Sequence, residues 1–164
     1  DWIDVKEENN VVDCAIFEPI EGVVDRKVLD IGEIVEATEP KVGMAVCKTG
    51  RTTEHTRGVI EAVDGVFMIY DGNRGVEFEN QIVIRQPFCA AGDSGSIVVD
   101  QDLFRPVGLL FAASDVVALA NPAVEVEKAL GVKFMEPIPY AKPSPWMVFV
   151  ALGAAGLGMT VMRW

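Results

Sequence analysis

Turn signals recur along most of this chain at roughly 8–12-residue intervals, the rhythm of short strands in a small all-β barrel. An apolar run over residues 42–47 leads into the turn Gly50-Arg51-Thr52-Thr53, and Val59-Ile60 resumes a strand. Phe67-Met68-Ile69-Tyr70 leads into the tight turn Asp71-Gly72-Asn73-Arg74-Gly75. Residues 76–79 alternate apolar and acidic, which marks a half-exposed strand. Strands over 81–85, 97–99 and 106–113 follow, with a turn at Asp100-Gln101-Asp102. One helix is predicted after them. Asn121 can cap it, Pro122 suits its first turn, and Gly131 can end it.

Between two of these strands lies a knot of small residues, Phe88-Cys89-Ala90-Ala91-Gly92-Asp93-Ser94-Gly95-Ser96. Gly92 and Gly95 free the backbone for tight conformations on both sides of one hydroxyl. A serine so placed is exposed at a turn, with backbone N–H groups converging beside it, an arrangement that can hold a developing oxyanion. The alternative for Ser94 by residue type is a solvated turn serine. Upstream, Val11-Val12-Asp13-Cys14-Ala15-Ile16-Phe17 reads as a buried strand carrying one acid. Such an acid is costly unless hydrogen-bonded. The alternative for Asp13 is an acid capping a turn at a strand start.

Together these segments resemble the chymotrypsin/trypsin-like serine proteases, and the streptogrisin-like bacterial members in particular. Gly92-Asp93-Ser94-Gly95-Ser96 resembles their nucleophile loop. The run Val46-Cys47-Lys48-Thr49-Gly50-Arg51-Thr52-Thr53-Glu54-His55-Thr56-Arg57-Gly58 is similar to the segment opening their second barrel, with Glu54 where glycine is usual. Val107-Gly108-Leu109-Leu110-Phe111-Ala112-Ala113 is similar to the strand lining their primary specificity pocket. The resemblance extends from about Val11 to Phe134. It implies Ser94 as nucleophile, Asp13 as the acid that orients an imidazole, and the N–H groups of Gly92 and Ser94 as the oxyanion hole. It also implies Phe111, Ala112 and Ala113 as substrate-binding. Alanines in place of pocket-wall glycines predict a small or medium apolar residue before the scissile bond.

On this reading residues 1–40 are the end of a first barrel and the crossover from it. That stretch is acidic and turn-rich after residue 18, with short strands near Val23-Val24 and Ile34-Val35. Residues 41–134 are a whole second barrel with its C-terminal helix. Four prolines between Pro137 and Pro145 predict a stiff extended spacer over residues 135–145. Residues 143–162 carry no charge, Trp146 and Trp164 bracket the run, and Lys142 and Arg163 flank it. A helix over 146–162 is about 26 Å long, against a hydrocarbon core of about 30 Å. Residues 146–164 are therefore predicted to be a single membrane span in contact with lipid. Ala151/Ala155 and Ala154/Gly158 are small-xxx-small pairs that admit another transmembrane helix. The alternative is a buried C-terminal helix of a soluble assembly. Arg163 beyond the span weakly places the C-terminus in the cytoplasm and the barrel on the extracytoplasmic side.

A net charge of −11 without a basic stripe argues against nucleic acid as partner. No cofactor or metal is expected. Three cysteines are too few for a disulfide-built scaffold, and their pairing is open. The single histidine, His55, falls between Asp13 and Ser94 and reads as a loop-tip surface residue. The resembling family has its histidine before the acid. The chain thus reads as starting inside a first barrel, and the catalytic base is expected from a His-bearing upstream segment, of the same precursor or a separate chain. The expected function is a membrane-anchored serine endopeptidase portion acting on peptide or protein substrates. The alternative is an inactive protease-like structural or accessory subunit of a membrane complex.

Overall fold

The computed structural model describes residues 9–16, 27–71 and 74–134. Two short strands, β1 (Lys27–Val28) and β2 (Gly32–Glu33), form a small hairpin. Six longer strands follow: β3 (Ala45–Gly50), β4 (Glu54–Asp71), β5 (Arg74–Arg85), β6 (Ile97–Asp100), β7 (Pro106–Ala113) and β8 (Val117–Pro122). They close into an antiparallel barrel in the order β3-β4-β5-β8-β7-β6. The helix α1 (Ala123–Leu130) follows β8 directly.

The strands close because several of them are apolar on both faces. Ile82 and Ile84 of β5 point into the barrel with Val46, Ile60, Phe88 and Leu110. Val83 packs on the other face with Phe78, Phe111 and Leu119, where the Phe78 and Phe111 rings stand 5.0 Å apart. Each such buried side chain contributes about 1.5–3 kcal/mol relative to exposure. A third cluster fills the space under α1, from Cys47, Val99, Leu109, Ala123 and Val126, and Val12 and Cys14 pack against it. The segment over 9–16 therefore lies on the barrel, tied at Asn10 by an isolated bridge to Phe78.

Several sequence expectations change. The segment around Asp13 is half-buried and belongs to no strand: among the described residues, its β-bridge to the barrel is at Asn10. The strand pieces at 59–60 and 67–70 are one strand, β4. Its register against β5 shifts three times between Ile60 and Phe67, so bulges bend the strand without ending it. His55 is within β4, paired with Thr49, and not on a loop tip. Ile34 and Val35 are outside any strand. Asn121 does not cap α1: it belongs to β8, and the helix begins after Pro122 with no side-chain cap. Gly131 ends α1 as expected, at φ 67°. Phe17, Val23-Val24, the spacer over 135–145 and the span over 146–162 lie outside the described residues. Among the described residues, no helix is long and apolar enough to cross a membrane.

Candidate active site

The loop between β5 and β6 is built before it is used. Gln86 opens it: its Oε1 accepts the N–H of Phe88 at 2.6 Å and of Cys89 at 3.0 Å, and its Nε2 donates to the carbonyls of Cys89 and Ser114. Thr56 Oγ1 donates to the Phe88 carbonyl at 2.7 Å, and the Phe88 side chain is fully buried in the barrel. On the far side, Gly95 N–H donates to Leu110 of β7 at 2.7 Å.

Asp93 lies inside this frame. Its carboxylate accepts the N–H of Thr52 at 2.7 Å, of Ala90 at 3.0 Å and of Thr53 at 3.2 Å, and the Thr53 hydroxyl at 2.6 Å. Lys48 Nζ stands 3.2 Å from Asp93 Oδ2, and both side chains are 0% exposed. Lys48 also donates to the Thr53 hydroxyl and the Glu54 carbonyl, so its ammonium is satisfied within the barrel. Burial alone would raise the Asp93 pKa. The Thr53 hydroxyl and the N–H groups of Ala90, Thr52 and Thr53 outweigh it and hold the carboxyl well below the usual carboxylate range. A buried charge so paired fixes whatever is attached to it, and what is attached is the backbone on either side of Ser94.

Ser94 itself is exposed, and Gly92 and Gly95 take φ values of 98° and 86°. Glycine suits the positive φ of Gly92, and a Cβ there would also force the Arg51 and Thr52 side chains to move. Among the described residues the Ser94 hydroxyl has one hydrogen-bond partner, the Phe111 carbonyl at 3.3 Å. That contact brings Ser94 against the strand expected to hold substrate. Along it, the Phe111 side chain is buried, Ala112 is half-buried and Ala113 is exposed. His55 Nδ1 is 3.4 Å from Thr49 Oγ1 and makes no hydrogen bond to Ser94.

Asp13 is held against β8: its backbone N–H donates to Asn121 Oδ1 at 2.9 Å, and Asn121 pairs across the sheet with Leu109 of β7. Its carboxyl has no partner among the described residues, and burial pushes it up to about 6. No hydrogen bond joins Asp13 to Ser94. The three cysteines are unbridged. Burial pushes the Cys47 and Cys89 thiols up, which makes them poor nucleophiles near neutrality. No group of His, Cys, Asp or Glu among the described residues is placed to hold a metal ion.

Two features escaped the reading of the sequence. Lys48 sits inside an apolar strand, which requires a buried anion, and the acid of the Gly92-Asp93-Ser94-Gly95 motif is that anion. Asn121 precedes Pro122 and so imitates a helix cap, while its side chain is used elsewhere.

Solved structures that share this barrel include serine proteases. The fold is chymotrypsin-like. Cellulomonas bogoriensis chymotrypsin is 25% identical at a TM-score of 0.50, over 58% of this chain and 51% of that one. A glutamic-acid-specific serine protease shares the fold at 24% identity and a TM-score of 0.53, over 70% of this chain and 63% of that one. Thermobifida fusca protease A shares it at 18% identity and 0.51, over 64% and 56%. The chain thus spans between half and two thirds of the length of these chymotrypsin-like proteins. It is also 32% identical over 104 residues to Protein NARROW LEAF 1 of Oryza sativa subsp. japonica, which covers 56% of this chain and 17% of the rice protein. No family profile matches the sequence.

Proposed function

We propose that this chain is the serine-bearing portion of a trypsin-like serine endopeptidase. The observation that carries it is the exposed Ser94 hydroxyl on a loop locked from beneath by the buried Lys48–Asp93 pair. Ser94 attacks the scissile carbonyl, and the N–H groups of Gly92 and Ser94 receive the oxyanion. A neutral serine needs an adjacent base. The base is an imidazole supplied from outside residues 1–164. It takes the Ser94 proton and later protonates the leaving amine, while Asp13 holds its orientation and balances its charge. The half-buried Asp13 carboxyl supports this: among the described residues it has no cation beside it to bring its pKa down. Phe111, Ala112 and Ala113 line the acyl side of the substrate, with preference for a small or medium apolar side chain. Residues 146–162 anchor the protein in a membrane beside another helix, with the barrel on the extracytoplasmic side.

A fluorophosphonate probe tests the reading. In the full-length protein it is expected to modify Ser94, and Ser94→Ala is expected to lower peptide turnover by about 10⁴–10⁶-fold. Modification at another residue, or equal modification of Ser94→Ala, overturns it. The second reading is a protease-like scaffold without activity. It is favoured by the one hydrogen bond that the Ser94 hydroxyl makes among the described residues, which leads to a carbonyl and not to a base. A full-length protein that never reacts with the probe decides for it.

A further inference from the structure

Beneath the Asp13 segment lie two amides, Gln81 of β5 and Asn121 of β8, both 0% exposed. Uncharged polar side chains in such a place cost stability unless every polar atom is satisfied. Here all are. Asn121 Nδ2 donates to Gln81 Oε1 at 2.8 Å. Gln81 Nε2 donates to the carbonyls of Val11 at 2.7 Å and of Glu79 at 2.5 Å. Asn121 Oδ1 accepts the Asp13 N–H at 2.9 Å, and its Nδ2 also reaches the Val11 carbonyl at 3.5 Å.

The donor and acceptor pattern admits one orientation of each amide. Turning Asn121 over would set its NH₂ against the Asp13 N–H, and its oxygen against the Gln81 oxygen. The pair therefore fixes the backbone immediately before Asp13 and at Asp13 itself. Val12, between the two contacts, packs on the cluster under α1, as does Cys14. Among the described residues, the Asp13 carboxyl is the group this construction leaves without a hydrogen-bond partner.

We propose that Gln81 and Asn121 are positioning residues: a buried amide pair that sets the acid-bearing segment on the barrel, so that the Asp13 carboxyl meets the imidazole at a fixed place relative to Ser94. The inference rests on the roles of Asp13 and Ser94 proposed above. A misplacement of about 1 Å in such a constellation costs about 10²-fold in rate. The two amides form one network, so their effects do not add.

The test uses the full-length protein, with Asn121→Leu, Gln81→Leu and the double variant. The expected result is a fall of about 10²-fold in kcat at little-changed KM for each variant, with the double variant no worse than the more affected single one. A downfield imidazole proton resonance, the mark of the histidine–carboxylate hydrogen bond, is expected in the wild type and lost or shifted in the variants. If a Leu variant does not fold, replacing the Val12–Asp13 peptide bond by an ester removes the Asp13 N–H and leaves both amides in place. The same loss of kcat is expected there. Folded variants, or a folded ester protein, with wild-type kcat and an unmoved resonance overturn the positioning role. A wild-type protein whose Ser94 never reacts with the probe overturns the protease reading as well, so the two failures are distinguishable.

Discussion

Asp93 shows how much one residue of a familiar motif does beyond its motif. It takes a buried ammonium, a hydroxyl and three backbone N–H groups from the β3–β4 turn and its own loop. Removing one partner of a buried pair leaves an uncompensated charge at a cost of about 3–5 kcal/mol. Lys48→Met is expected to destabilise the barrel by that amount in denaturant titration and to slow probe labelling of Ser94. A loss below about 1 kcal/mol means that the pair is not what holds the loop. The pH dependence has a definite sign. The folded Asp93 pKa lies below its unfolded value, so its contribution is complete at neutral pH and is lost as the solution is acidified below the ordinary carboxylate range. Two glycines make a matched pair for comparison. Gly131 has φ 67° with open space around a would-be Cβ, so Gly131→Ala costs about 1 kcal/mol of strain and leaves labelling unchanged. Gly92 has φ 98° with Arg51 and Thr52 in the way. Gly92→Ala is expected to lower Ser94 labelling by about 10²-fold or more, the scale of losing one oxyanion donor. Equal labelling of the two variants contradicts the assignment of Gly92.

At the scale of elements, the legible parts were those whose signal is local. The serine loop, the strands over 81–85, 97–99 and 106–113, and the Gly131 stop follow from residue type and spacing. The rest is set across the sheet. The bulges that make β4 one strand depend on its register against β5, and Asn121 is turned from a helix cap into a clamp by a segment more than a hundred positions away. The Asp13 segment yields a pH prediction. Its carboxyl is raised by burial to about 6, from an ordinary value near 4. The native state of this chain therefore holds that proton more tightly than the unfolded state does. Stability falls as pH rises from about 4 to about 6 and stays lower above. Asp13→Asn in residues 1–164 is expected to raise the melting temperature at pH 7 and to leave it unchanged at pH 3. An equal shift at both pH values contradicts the burial of the charge. Under the proposed function, the same substitution in the full-length protein is expected to cost activity, because the carboxylate would then orient an imidazole.

For the whole molecule, the expectation is dependence on a second component. Residues 1–164 alone are expected to show no peptidase activity at ordinary protease rates, because Ser94 keeps its proton. The oxyanion hole by itself accounts for about 10³–10⁴ over water, below the reach of most assays. Addition of a histidine-bearing segment, in cis or as a separate chain, is expected to bring both turnover and labelling. Ordinary cleavage by the isolated chain, abolished by His55→Ala, makes His55 the base and the present assignment wrong.

The Lys48–Asp93 pair has a kinetic consequence. Both its members belong to one barrel, so the shape of the nucleophile loop is set when that barrel folds and waits on nothing else. If a histidine-bearing partner is mixed with a prefolded barrel, activity should appear in a single bimolecular phase whose rate climbs in proportion to partner concentration. A lag that stays constant as the concentration rises would mean that the loop still rearranges after the two components meet.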